Sequence, residues 1–65
     1  MTLAEANANY LAASSALTEA HAAARALTAN KSKTVAMVKE TYDRLDAVRA
    51  EFEAAKSALD VAEAA

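Results

Sequence analysis

Glycine, proline, cysteine and tryptophan are all absent from this 65-residue chain, and aromatic residues make up only 5% of it. Without Gly or Pro, nothing punctuates a sheet or a series of tight turns, which points to helices. Without cysteine there is no disulfide to brace a small domain. The one histidine, His21, has no second His or Cys beside it to build a metal site. No apolar run approaches the roughly 20 residues of a membrane span, and no basic n-region precedes an apolar core as in a signal peptide. The expectation is a soluble protein, cytoplasmic by default. Net charge is −2, and the seven basic residues are dispersed among nine acids. No basic face is available for nucleic acid, so no direct nucleic-acid contact and no membrane contact are expected.

What remains is Ala, Glu, Lys, Leu and Arg, the composition of long helices and coiled coils. Apolar residues recur every seven positions. One series, a, runs Leu3, Tyr10, Leu17, Ala24, Lys31, Val38, Leu45, Phe52, Leu59; three residues later the d series runs Ala6, Ala13, Ala20, Leu27, Thr34, Thr41, Val48, Ala55, Ala62. This is a coiled-coil seam along the whole chain.

The seam is interrupted once. Residues 28–34, Thr-Ala-Asn-Lys-Ser-Lys-Thr, contain no large apolar side chain and place Lys31 on the seam. Thr2 with Glu5 fits a capping box at the start, so a first helix is expected over 3–29. Asn30 is the residue best suited to end it in a left-handed conformation when Gly is missing. Lys31 and Lys33 suit the negative end of that helix dipole. Ser32 or Thr34 can cap a second helix over 35–63. The fold class expected is all-α: an antiparallel two-helix hairpin, one domain, with its turn at 30–34.

Pairing the two series about Ser32-Lys33 gives the layers Leu3/Ala62, Ala6/Leu59, Tyr10/Ala55, Ala13/Phe52, Leu17/Val48, Ala20/Leu45, Ala24/Thr41 and Leu27/Val38. Nearly every layer sets a large side chain against a small or medium one, which gives a seam of even width and close packing. A parallel in-register dimer stacks Tyr on Tyr, Ala on Ala and Lys31 on Lys31, leaving cavities between the aromatic layers. An antiparallel dimer of two unbroken helices reproduces the same layers, but buries Lys31 and Thr34 in mid-seam. The layers favour the hairpin.

Chemistry has little to stand on. His21 falls at the edge of the seam without a partner. Glu51 and Glu53 point to different sides of a helix, unlike an acid/base pair, and Ser14-Ser15 has no base aimed at it. No catalytic, cofactor-binding or metal-binding residue is identified, and the expected protein is not an enzyme. Opposite charges four apart (Glu40 and Arg44, Arg49 and Glu53, Lys56 and Asp60) read as a solvated helix face. The alternative is an acidic docking stripe of Asp43, Asp46, Glu53 and Asp60. Off the seam, Leu11, Val35, Met37, Tyr42 and Val61 suggest a second, weaker apolar surface for a protein partner, a larger assembly subunit or another copy of the chain. The competing reading is that these are scattered surface hydrophobes.

Three segments carry a resemblance: Tyr10-Leu-Ala-Ala-Ser-Ser-Ala-Leu17, the connection Ala26-Leu-Thr-Ala-Asn-Lys-Ser-Lys-Thr-Val35, and the run from Tyr42-Asp-Arg-Leu to Ser57-Ala-Leu59. Together they resemble the small head-completion or head–tail joining proteins of tailed bacteriophages, in length, in the Ala-rich first helix and in the Lys/Ser/Thr-rich connection. The resemblance implies a repeated virion component wedged between larger subunits, without catalysis. Members of that family commonly carry a Gly-containing β-hairpin between the helices, for which this chain has no Gly. The alternative function is a small regulatory binding module (chaperone, antitoxin or inhibitor) that covers a partner's apolar surface.

Overall fold

A computed structural model describes all 65 residues. Two helices, α1 over Leu3–Ala29 and α2 over Val35–Ala64, fold back on each other as an antiparallel hairpin about 49 Å long, and no strand is present. The all-α hairpin is therefore the fold. Its connection is the five residues 30–34, too short for an inserted β-hairpin. The second helix runs one residue beyond the expected end.

Both helix starts are closed by threonine. The Thr2 hydroxyl accepts the Glu5 amide at 3.1 Å, and the Glu5 carboxylate accepts the Thr2 amide at 3.1 Å, which completes the capping box. Thr34, not Ser32, caps α2: its hydroxyl accepts the Met37 amide at 3.2 Å. The end of α1 departs from expectation. Asn30 is extended rather than left-handed (φ −81°, ψ 113°), and no residue has a positive φ. The chain leaves the helix through two side-chain devices instead. The Asn30 carboxamide oxygen accepts the Ser32 amide at 2.8 Å, a local turn that fixes the reversal. The Lys33 amine reaches back to the carbonyls of Thr28 (3.5 Å) and Asn30 (3.4 Å), so it satisfies helix-end acceptors directly.

Within α1 the hydroxyls of Thr18 and Thr28 donate to the carbonyls of Ser14 (3.1 Å) and Ala24 (3.0 Å). This back-bonding lets β-branched polar residues sit in a helix without an unmet hydroxyl. No buried side-chain polar atom lacks a partner.

The core is thin. Only Ala6, Ala20, Ala24, Leu27, Leu45 and Val48 are buried. Ala20, Ala24, Leu45 and Val48 form its centre, with Ala16 and Leu17 packed against them. Four of the six come from the small side of their layers or are alanines outright, because a small residue lies between two helix backbones while the large side chain covering it keeps one edge in solvent. Tyr10, Ala13, Leu17, Val38, Thr41, Phe52, Ala55, Leu59 and Ala62 are accordingly half-buried.

Two features of the seam depart from independent layers. Tyr10 and Phe52, from adjacent layers on opposite helices, meet with ring centroids 5.4 Å apart and planes inclined by 40°. A tilted aromatic pair of this spacing bridges two layers. Leu3, assigned to the seam, is 53% exposed. It lies in the first turn, its layer mate Ala62 is too short to cover it, and no further layer lies beyond.

Ala20→Glu should abolish the hairpin. Ala20 is 3% exposed against Leu45, and an unpaired buried charge costs more than roughly 3 kcal/mol. Loss of the helical circular dichroism signal is the expected result, and wild-type helicity would contradict the layered seam. The Glu5 carboxyl is held below its ordinary value of 4.5 by hydrogen bonds from the Thr2 backbone and side chain. A depressed carboxyl stabilises the fold above its unfolded pKa, and that contribution disappears as pH falls through the lower folded value. The thermal midpoint of Glu5→Gln should therefore lie below wild type at neutral pH and converge with it near the acid end of the titration.

Candidate interaction surface

In an antiparallel pair, reversing one helix brings like flanks together, so the hairpin has two long sides. Positions just after d form one: Asn7, Ser14, His21 and Thr28 on α1, with Val35, Tyr42, Arg49 and Lys56 on α2. Positions just before a form the other: Asn9, Ala16 and Ala23 on α1, with Met37, Arg44, Glu51 and Ala58 on α2. The grooves at the open end obey this division. One is lined by Leu3, Ala4, Asn7, Leu59 and Glu63. The other is lined by Met1, Ser57, Ala58, Val61, Ala62 and Ala65.

The two sides differ in chemistry. Next to the first lie Lys39, Asp46, Glu53 and Asp60 of α2, so that side is mainly charged. Next to the second lie Ala12 and Ala26 of α1 and Ala47, Ala54 and Val61 of α2. With Ala16, Ala23 and Ala58 they make an alanine-rich strip, interrupted by Glu5, Glu19, Glu40, Arg44 and Glu51. The helices differ as well. Glu5, Glu19 and Arg25 are the only charged residues in the 27 of α1, whereas α2 carries eleven in 30.

The residues singled out off the seam (Leu11, Val35, Met37, Tyr42 and Val61) are all exposed, but they do not make one surface. Val35 and Tyr42 lie on the charged side near the turn. Met37 is on the smooth side near the turn, and Val61 is next to that same side at the open end, 24 residues or about 36 Å along α2. Leu11 projects from α1 toward the charged side. Met1 and Leu3 are also exposed. Their exposure at the open end could have been read from the seam itself, since a terminal layer has no neighbour on one side.

Of the charge pairs expected on α2, none is within ion-pair distance. The one ion pair is Lys39 with Asp43, which raises the Lys39 pKa through that hydrogen bond and, secondarily, through the Asp43 charge. Both side chains are well exposed, and such pairs contribute little to stability. The acidic stripe thus loses Asp43 to a lysine, while Asp46, Glu53 and Asp60 continue along one line of α2. His21 is half-buried on the charged side. No group of three or more His, Cys, Asp or Glu side chains is placed to hold a metal, and no helix is long and apolar enough to cross a membrane.

A compact folded chain of 6.8 kDa exposes about 3,950 Å², whereas the hairpin exposes 4650 Å². The excess, about 700 Å², is close to the roughly 800 Å² that one partner contributes to a standard protein interface. No family model, no curated protein and no solved structure matches the chain.

Val35 is 86% exposed and Leu45 is buried, so their truncations should separate. Val35→Thr should change unfolding free energy by less than roughly 0.5 kcal/mol, and Leu45→Ala should cost about 2–4 kcal/mol. Chemical denaturation followed by circular dichroism distinguishes the two, and equal losses would move the core toward the exposed flank.

Proposed function

We propose that this chain is a non-enzymatic structural or adaptor protein, a helical hairpin that packs its long sides against copies of itself or against larger subunits. The observation that carries this reading is the surplus of exposed surface on a chain whose core is six residues. A rod of two helices presents two long sides and buries only the seam, so added neighbours are the direct way for it to cover apolar surface. The resemblance of the Ala-rich first helix, the Lys/Ser/Thr connection and the second-helix pattern to head-completion or head–tail joining proteins extends the proposal. The particle would be that of a tailed phage, and the chain a minor virion component held between larger subunits.

The second reading is a regulatory module that covers a partner's apolar segment. It is favoured by the two grooves at the open end, lined by Leu3, Ala4 and Leu59 on one side and by Met1, Ala58, Val61 and Ala62 on the other.

Copy number separates the readings. Quantitative mass spectrometry of purified particles should find the chain in a fixed, multiple ratio to a symmetric shell or tail subunit. Recovery only as a soluble one-to-one heterodimer would overturn the structural reading in favour of the regulatory one.

A further inference from the structure

The smooth side is self-complementary at its ends. At the turn it carries Met37, 39% exposed; at the open end it carries the groove lined by Met1, Ala58 and Val61. The midpoint between Met37 and Val61 is residue 49, which is also the middle of the helix Val35–Ala64. A two-fold axis across the smooth side at that level, perpendicular to the helices, sets Met37 of each copy at the other's groove. It does so with the hairpins overlapping along their whole length. Such an interface is isologous and closed, so it stops at two copies.

The stretch between the ends permits close approach. Ala47 and Ala54 on α2, with Ala12, Ala16 and Ala23 on α1, put methyl groups where longer side chains would hold two backbones apart. The same rotation brings Arg44 of one copy opposite Ala54 of the other, within one helical turn of that copy's Glu51. Two symmetric pairs of opposite charge therefore flank the axis. An axis running along the hairpin leaves every residue at its own height, so Met37 and the groove stay about 36 Å apart.

Area selects the side over the end. The Cα extents of 49 × 14 × 12 Å give a long side of about 700 Å² and an end of about 170 Å², against the roughly 800 Å² per partner of a stable interface. Only a side-by-side arrangement approaches that size, and it matches the surplus surface of the single hairpin.

We propose that the occupant of the smooth side is a second copy of this chain, docked antiparallel through Met37 and the Met1–Ala58–Val61 groove to form a four-helix bundle. This rests on the self-packing form of the structural reading. Sedimentation of the full chain at about 100 µM, within the range where interfaces of this size are populated, should give twice the 6.8 kDa chain mass. Ala54→Lys, which sets a lysine opposite Arg44 of the other copy twice per dimer, should weaken pairing by at least ~100-fold and return the monomer mass, with helicity retained. In an otherwise cysteine-free chain, Met37→Cys with Val61→Cys should form covalent dimers on oxidation, and neither single variant should.

A wild-type monomer at that concentration, an undisturbed dimer in the lysine variant, or covalent dimers from either single cysteine variant would each overturn the arrangement. If the lysine variant loses its helicity, the cysteine variants still decide. A monomer found in fixed multiple copies within a particle would remove the self-pairing and leave the structural role standing.

Discussion

Small against large across an antiparallel seam is the constraint on which the rest of this structure depends. With two helices and no third layer, the chain has one line along which to bury apolar surface, and that line must have constant width. Alanine on one helix opposite leucine, valine, tyrosine or phenylalanine on the other achieves it, which is why Ala6, Ala20 and Ala24 are among the most buried residues. The reversal follows from the same requirement. Only an antiparallel partner sets the two series against each other in this way, and the turn at 30–34 supplies that partner within the chain. The Asn30 carboxamide and the Lys33 amine complete the turn's hydrogen bonding where glycine would ordinarily have made it easy.

The seam also limits what the molecule can do. A rod about 49 Å long and two helices across cannot enclose a large cavity, so its recognisable features lie on its outside. There the two sides diverge: one more heavily laced with charge, the other richer in alanine. The contrast between a nearly uncharged α1 and a heavily charged α2 runs in the same sense. Together with the surplus surface, it is the basis of the structural or adaptor role proposed for the chain.

Much of this was legible in the residues. The seven-residue repeat, the apolar gap at 28–34 and the Thr2–Glu5 spacing locate both helices and the direction of the second, because each depends on local periodicity or on a hydrogen bond spanning three residues. Other features were not. Asn30 leaves the helix extended because Lys33 can reach the carbonyls that a left-handed cap would have satisfied, a contact that depends on the path of the turn. The charge pairs on α2 resolve to Lys39–Asp43 because long exposed side chains choose among several partners at similar cost. The off-seam hydrophobes, which look like one set in the sequence, divide between two sides and two ends once the helices have a common axis.

The sequence by itself therefore determined the two helices and their antiparallel sense, since both follow from spacing along the chain. Tertiary structure alone decided that Tyr10 and Phe52 meet across adjacent layers and that Leu3 stays open to solvent. It also decided that grooves flank the open end. Those are relations between residues on different helices or at the molecule's ends. They depend on how two rods lie against each other, and periodicity along one rod carries no information about that.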